Sequence, residues 1–411
     1  MTFAVWHELA PREAARVLLT RIAGLPAAQQ RAAIASLPDE AALTARFAAA
    51  NREAPLGAVP YFAKDLFDVA GEPTRAGSTF LAEVRPIPTR DSALVARLHT
   101  AGAVLAGKTH LHEFAYGLTG ENPHHGDCEH PRFPGRTTGG SSSGSAALVA
   151  AGVVPFALGT DTGCSVRLPA AFCGLYGFRA RPRDEWIRDA FPLAPSIDTA
   201  GWFTADAADM RTLLGTLIGW RTSQREPCGL FLDWPGLDAK VGAACQRAAE
   251  KYAGPAGPAL QQDLHATFAR ASEAYSTLVA HEAIAVHRAW LGPYRERYDP
   301  AVRARLEAAL NLSERQLENA RVTLATVRLT WTQFFLAYDF LVMPASPCPA
   351  LTKAECTPAN RNRILALTAP ASLGGLPVLT VPVALPSGLS TGLQIIVNHP
   401  QSPVLPWALT R

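Results

Sequence analysis

Two short segments rich in glycine and serine carry hydroxyl groups that could act on a substrate. They form the two ends of the run TTGGSSSGSAALVAAGVVPFALGTDTGCS, which begins at Thr137 and ends at Ser165. By itself, a Gly/Ser run is typical of a flexible linker. Here, however, the first segment leads into an alanine-rich helical pattern and then into PFALG, an apolar run with the length of a buried strand.

The lengths of that helix and strand bring two serines to the same edge of a sheet. A helix of about nine residues advances by roughly 13 Å, and a strand of about four residues returns by roughly 13 Å. We therefore expect Ser141 and Ser165 to meet, each in a loop whose backbone N–H groups are free to face a ligand. A serine nucleophile beside such N–H groups is suited to acyl transfer.

A serine nucleophile needs a base, and neither loop contains a histidine. Lys64 is the candidate, because it ends the apolar run AVPYFAK. Burial disfavours the charged form of a lysine and lowers its pKa, which makes the neutral amine available as a base. The alternative is that Lys64 pairs with Asp65 or Asp68 at the surface, and the residues by themselves leave both interpretations open.

Five segments resemble the amidase signature family. They are VPYFAKDLFDVAG, GAVLAGKTHLHEFAYG, GGSSSGSAALVAAGVVPFALGTDTGCSVRLPAAFCG, APSIDTAGWFTAD and LTAPASLGGLPVLTVPVALPSGLSTGLQII. The resemblance covers about residues 55–205 and 338–398. In these motifs the chain is most similar to the branch of plant indole-3-acetamide amidases and their organellar-receptor relatives.

The resemblance implies a Ser–cisSer–Lys triad that needs no cofactor and no metal. Lys64 matches the base, Ser141 the bridging serine in a cis peptide, and Ser165 the acyl nucleophile. The residues whose N–H groups match the oxyanion hole are Thr162, Gly163, Cys164 and Ser165. Ser142 and Arg167 match positions that support the two loops.

Two positions depart from the commonest family pattern, which has glycine at both. Ser143 occurs in related branches and is expected to be harmless. Cys164 adds a Cβ beside the nucleophile, so it is expected either to narrow the acyl pocket or to require a φ angle that glycine adopts more easily.

Two other patterns suggest different chemistry. GAVLAGKT, from Gly102 to Thr109, satisfies the phosphate-binding pattern GxxxxGK[ST], but its apolar middle favours a strand over an exposed loop. The histidine-rich segment between His110 and His130 could suggest zinc, but it lacks the usual ligand spacing and contains several prolines. We expect it to be a polar loop near the mouth of the site.

Composition indicates the class of protein, its partners and its cellular compartment. The chain has 411 residues, of which 48% are hydrophobic and 18% charged, and a net charge of +3 that gives no reason to expect nucleic acid or a membrane as partner. The seven cysteines are scattered without CxxC spacing. They indicate reduced thiols and a cytoplasmic location.

The alternation of apolar runs, turns and helical stretches predicts a single α/β domain over residues 1–411. The resemblance adds a central mixed β-sheet flanked by helices. We expect an N-terminal helical segment at 1–50, a core at about 55–205 and 338–398, and a helical insertion or cap at about 220–335.

These observations favour an amide hydrolase that cleaves a small-molecule carboxamide to a carboxylate and ammonia or an amine. Two alternatives stay open: a glutaminase-type subunit of a tRNA-dependent amidotransferase, and an amidase-like scaffold without activity. The sequence also leaves open that the chain assembles as a homodimer.

Overall fold

One mixed β-sheet of 11 strands forms the centre of the protein in the computed structural model, which describes residues 2–411. The spatial order of the strands is β1-β3-β2-β4-β6-β5-β10-β11-β9-β7-β8. The strands are β1 (Ile34–Ser36), β2 (Pro60–Lys64), β3 (Val104–Thr109), β4 (Phe156–Thr160), β5 (Tyr176–Arg179), β6 (Ala200–Thr204), β7 (Gly229–Phe231), β8 (Gly254–Pro255), β9 (Phe340–Pro344), β10 (Val378–Ala384) and β11 (Ser390–Val397).

Helices connect the strands and cover the sheet. The α-helices are α1 (Phe3–Glu8), α2 (Pro11–Ala23), α3 (Ala27–Ala33), α4 (Glu40–Ala49), α5 (Leu81–Val84), α6 (Ala93–Thr100), α7 (Ser143–Ala150), α8 (Arg167–Cys173), α9 (Ala207–Leu217), α10 (Ala239–Ala249), α11 (Pro258–Phe268), α12 (Ala271–Leu291), α13 (Pro300–Ala309), α14 (Glu314–Ala337), α15 (Pro358–Gly374) and α16 (Val404–Ala408). Short 3-10 helices span Glu113–Ala115, Glu185–Ile187, Arg295–Arg297 and Lys353–Glu355.

The sheet is buried on both faces, as β9 shows. Its side chains alternate between the faces, so Phe340 and Val342 pack into one apolar core while Leu341 and Met343 pack into the other. The second core includes residues of α12, α14 and α15. The predicted α/β class, with a mixed sheet between helices, is confirmed.

Three short strands lie where the sequence suggested helix only. β1 lies in the predicted N-terminal helical segment and pairs with β3. β7 and β8 lie in the predicted helical insertion and extend the sheet beyond β9. Each has two or three residues, which is too short to show the alternation of apolar and polar residues that identifies a strand. These strands form because a neighbouring edge offers unpaired backbone groups.

Parallel strands bring the polar residues of the site together. β2 pairs in parallel with β3 on one side and with β4 on the other. Lys64 and Thr160 are the last residues of β2 and β4, so both stand at the carboxyl edge, where ligands bind in open α/β sheets. Val104–Thr109 forms β3, so the apolar middle of the phosphate-loop pattern is strand, as predicted.

Among residues 2–411, no helix combines the length and the apolar composition needed to cross a membrane.

Replacing Leu158 tests how much the core contributes to stability next to the site, because this residue is fully buried in β4, close to Thr160. Leu158→Ala should lower the free energy of unfolding by about 2–5 kcal/mol, since it removes apolar contacts and leaves a cavity. The matched control is Leu336→Ala, because Leu336 is 84% exposed and should change stability by less than about 0.5 kcal/mol. Denaturant unfolding measures both, and equal losses would contradict the assignment of Leu158 to the core.

Candidate active site

The amine of Lys64 is fully buried and surrounded by hydroxyl groups. Its Nζ lies 2.7 Å from Ser141 Oγ, 3.0 Å from Ser142 Oγ and 2.8 Å from Thr160 Oγ1. Burial is the largest influence and lowers the pKa of Lys64 to about 7, although the charges of Asp161 and Asp198 oppose it. A substantial fraction of this lysine is therefore neutral near pH 7.

The two neighbouring aspartates have other partners. The Asp65 carboxylate contacts Lys108 Nζ in a fully buried ion pair, and Asp68 forms two hydrogen bonds with Arg85 at 2.6 and 2.8 Å. The alternative in which Lys64 pairs with Asp65 or Asp68 at the surface is wrong. Because no carboxylate holds its proton, Lys64 keeps the lowered pKa that a base requires.

The first Gly/Ser loop leads into α7 and places two serines within hydrogen-bond distance of Lys64. The peptide bond between Gly140 and Ser141 is cis, and the Ser141 carbonyl accepts a hydrogen bond from the His112 N–H at 3.1 Å. Ser142 Oγ lies 3.2 Å from the Thr160 carbonyl and can donate to it. These bonds tie the loop to β4 and to the segment that follows β3, so it is an ordered part of the core.

The second loop follows β4 and is organised by one carboxylate. Asp161 is fully buried between Arg167 and Arg179, with nearest distances of 2.9 Å to each guanidinium. Burial raises its pKa, but the two arginines outweigh that effect and hold the pKa of Asp161 below its usual range. Its Oδ2 also accepts the backbone N–H groups of residues 166 and 167, at the start of α8.

The carbonyl groups of residues 161–164 are all held inside the protein. Arg179 donates to the carbonyls of Asp161 at 2.6 Å and Thr162 at 3.3 Å, and Arg167 donates to that of Gly163 at 2.5 Å. The first turn of α8 donates to the carbonyl of residue 164 at 2.8 Å.

The consequence is a row of free N–H groups. In a trans peptide the N–H points away from the preceding carbonyl. The N–H groups of residues 162–165 therefore point away from the interior side that holds the carbonyls. Across residues 2–411 they have no hydrogen-bond acceptor.

Close packing explains the glycine in this loop, and the backbone explains how a cysteine is tolerated. A Cβ on Gly163 would lie 2.5 Å from the Tyr275 hydroxyl oxygen of α12. Cys164 has a negative φ, since it is not among the residues of positive φ, so its side chain requires no unusual backbone. The expectation of a glycine-like φ at Cys164 is wrong. Its thiol is buried, which raises its pKa to about 12.

The structure brings some of the predicted residues together and leaves one apart. Lys64, Ser141 and Ser142 are in direct contact. Arg167 donates to the Gly163 carbonyl of the second loop, and its supporting role stays a prediction. Ser165 is 5% exposed, and its hydroxyl makes no hydrogen bond to any residue from 2 to 411.

Three further residues of the site were not identified from the sequence. Thr160 contacts Lys64, Asp161 fixes the second loop, and Arg179 holds two of its carbonyls. Each follows or ends a short apolar run, and a polar residue at the end of a buried strand is the signal that could have identified them.

The histidine-rich loop does not converge on one point. The rings of His110 and His125 stack with centroids 3.8 Å apart, while His124 Nε2 lies 3.1 Å from a carboxylate oxygen of Glu113. Burial lowers the pKa of His110 to about 3. Within residues 2–411, no three His, Cys, Asp or Glu side chains are grouped so that they could hold a metal ion.

Comparison with known proteins decides the family. The family model described as Amidase matches residues 13–237 and 261–402. The chain belongs to the amidase family. The resemblance noted in the sequence is therefore confirmed, and the match extends into the helical region that contributed little to it.

Individual relatives agree with this assignment. Indoleacetamide hydrolase of Pseudomonas savastanoi is 40% identical over 206 residues, which are 48% of this chain and only 45% of that protein. One subunit of the glutamyl-tRNA(Gln) amidotransferase of Anaeromyxobacter dehalogenans is 32% identical over 86% of this chain and 82% of that protein. A crystal structure of an amidase, 32% identical, has a TM-score of 0.83 and covers 97% of this chain and 94% of that chain.

Removing the carboxylate that organises the second loop should be strongly destabilising. Asp161→Asn leaves two buried guanidinium groups without their counter-charge, which typically costs about 3–5 kcal/mol. Asp339→Asn is the matched control, because Asp339 pairs with the exposed Arg225 and water screens that interaction. Denaturant unfolding compares the two variants, and a loss for Asp161→Asn no larger than for Asp339→Asn would contradict this account.

Proposed function

We propose that this protein hydrolyses a small-molecule carboxamide through an acyl-enzyme on Ser165. The observation that carries the proposal is the buried Lys64 amine, which contacts only hydroxyl groups beside a loop of free N–H groups. Membership of the amidase family supports the same reaction. The chemistry of these side chains requires no cofactor.

The hydrogen bonds favour a particular proton arrangement. A neutral lysine has two N–H donors and one lone pair. Ser142 can donate to the Thr160 carbonyl, so its oxygen accepts from Lys64, and Thr160 Oγ1 can accept the second N–H. The lone pair then accepts the proton of Ser141, 2.7 Å away.

In the proposed first step, Lys64 takes the Ser141 proton while Ser141 takes the proton of Ser165. The Ser165 oxygen bonds to the amide carbon, and the resulting oxyanion accepts hydrogen bonds from the N–H groups of residues 162–165. The proton returns through Ser141 to the leaving nitrogen as the C–N bond breaks. Water then attacks the ester by the same proton route and releases the carboxylate.

Binding of substrate must bring Ser165 onto this proton route. Its hydroxyl is not hydrogen-bonded to Ser141 within residues 2–411, and catalytic hydrogen bonds in empty sites are often long or absent.

The two alternative functions differ in what they require of the structure. A glutaminase-type subunit would need partner subunits for its biological reaction, and an inactive scaffold would need none of the site geometry. The contact between Lys64 and Ser141, together with the free N–H groups of residues 162–165, supports a catalyst.

We also propose a reducing, cytoplasmic setting with a small molecule as partner. All seven cysteines are unpaired in the structure, and five of them are buried. The net charge of +3 supports a small molecule over nucleic acid as partner. Assembly as a homodimer stays a prediction of the sequence.

A covalent probe tests the nucleophile. A fluorophosphonate should modify Ser165, and peptide mass spectrometry should locate the adduct there. Ser165→Ala should abolish labelling, whereas Ser223→Ala, the same change at an exposed serine, should leave it intact. Labelling at Cys164 or Cys173 would instead indicate a thiol nucleophile.

The pH dependence tests the base. Because the neutral form of Lys64 is active and its pKa is lowered to about 7, kcat/KM should rise with pH through about 7 and then level off. His112, the histidine bonded to the Ser141 carbonyl, cannot produce this rise, since burial lowers its pKa to about 3. Lys64→Ala should lower kcat by at least about 100-fold, and the exposed Lys353→Ala should not.

Near-normal turnover by Lys64→Ala, or a profile that is flat between about pH 6 and 8, would contradict the assignment of the base.

A further inference from the structure

A cavity lies away from the proposed active site, near the amino ends of the parallel strands β2 and β3. It encloses about 220 Å³ between these strands and helices α4 and α6. Tyr61 of β2 and Val104 of β3 line it, whereas Lys64 ends β2 at the carboxyl edge. Three residues of a strand span roughly 10 Å, so this cavity is separate from the amine of Lys64.

The cavity has an apolar floor and a polar rim. The buried residues that form the floor are Tyr61, Val69, Val95, Ala103 and Val104. At the rim, Arg46 and Asp91 are half-buried, while Ala49 and His99 are exposed. An apolar cavity of about 150 Å³ is large enough to bind benzene. The volume here therefore has room for one aromatic ring and a short chain.

The hydroxyl group of Tyr61 has no partner in the protein. Tyr61 is 1% exposed, and its ring stacks on that of Phe156 with centroids 5.1 Å apart. Across residues 2–411 its hydroxyl makes no hydrogen bond, although buried tyrosine hydroxyls usually have one. Burial and the charge of Asp91 raise the pKa of Tyr61, whereas the charge of Arg46 lowers it. The hydroxyl group is therefore within electrostatic reach of the polar rim.

Asp91 is the charged group of the rim whose charge is not compensated. The guanidinium of Arg46 is engaged, since it lies 3.1 Å from a carboxylate oxygen of Glu72 and donates to a carbonyl of β3 at 2.9 Å. Asp91 Oδ1 accepts the Ala70 N–H at 2.8 Å. Its Oδ2 has no hydrogen-bond partner, and the carboxylate forms no ion pair in the part of the chain from 2 to 411. The rim thus offers an unpaired negative charge beside a free hydroxyl oxygen.

We propose that this cavity binds a small primary amine that carries one aromatic ring or an apolar group of similar size. The ammonium donates to Asp91 Oδ2 and to the Tyr61 hydroxyl oxygen, and the apolar body lies on the floor between α4 and α6. An ammonium has three donors and no acceptor, so it suits two oxygens that lack a donor. This site is separate from the proposed hydrolysis and does not depend on it.

Three probes of similar size and different charge test the ligand class. They are 2-phenylethylamine, a cation at neutral pH, the neutral 2-phenylethanol and the anion 3-phenylpropionate. Calorimetry should show one site for the amine, with a Kd at least about tenfold lower than for the alcohol, since a hydrogen bond to a charged group is the stronger one. The anion should bind most weakly. No saturable binding of the amine, or equal affinity for all three probes, would overturn the proposal.

A charge-neutralising substitution tests the role of Asp91. Asp91→Asn keeps the size of the side chain but removes its charge, so it should raise the Kd of 2-phenylethylamine by at least about tenfold and leave that of 2-phenylethanol nearly unchanged. Asp263→Asn is the matched control, because Asp263 is exposed on α11 and does not line the cavity. The same loss of affinity in both variants would show a general effect of charge and contradict the proposed contact.

Two neighbouring alanines on one helix locate the site. Ala49 lines the cavity, so Ala49→Trp should fill it and abolish binding of 2-phenylethylamine. Ala48 is also exposed on α4 but does not line the cavity, and Ala48→Trp should bind the amine as the wild-type protein does. Equal binding by the two tryptophan variants would place the amine elsewhere and overturn the proposal.

A substitution at the proposed nucleophile separates this site from the proposed function. Ser165→Ala should leave the Kd of 2-phenylethylamine unchanged, whether or not the wild-type protein hydrolyses amides. Loss of amine binding in Ser165→Ala would place the amine in the active site and overturn the proposal while leaving amide hydrolysis intact.

Discussion

The burial of one primary amine among hydroxyl groups is the constraint on which the rest of the site depends. Lys64 can serve as a base only while no carboxylate lies close enough to hold its proton. The structure meets this condition by giving every nearby acid another partner, such as Lys108 for Asp65 and two arginines for Asp161. These ion pairs are therefore part of what keeps the pKa of Lys64 low, although none of them touches its amine.

The same ion pairs shape the backbone that would receive the oxyanion. Arg167 and Arg179 hold the carbonyls of the second loop on the interior side, so the corresponding N–H groups stay free. Donors fixed in advance stabilise a developing charge without having to reorganise during the reaction. One buried cluster thus serves the base and the proposed oxyanion site together.

The helical region between β8 and β9 contributes to the site as well as to the core. Tyr275 of α12 packs so tightly against Gly163 that a Cβ there would lie 2.5 Å from its hydroxyl oxygen, and the tyrosine would have to move. The part of the chain that contributes least to the family signature thus supplies Tyr275, which packs against the loop of the proposed nucleophile.

The sequence by itself determined the family, the α/β class and the candidates Lys64, Ser141 and Ser165, because those features are local patterns: apolar runs, Gly-rich turns and a lysine in a hydrophobic segment. Only the tertiary structure decided that Thr160 and Asp161 belong to the site and that three short strands belong to the sheet. The physical reason is that burial and charge compensation depend on neighbours distant in sequence, which no local pattern records.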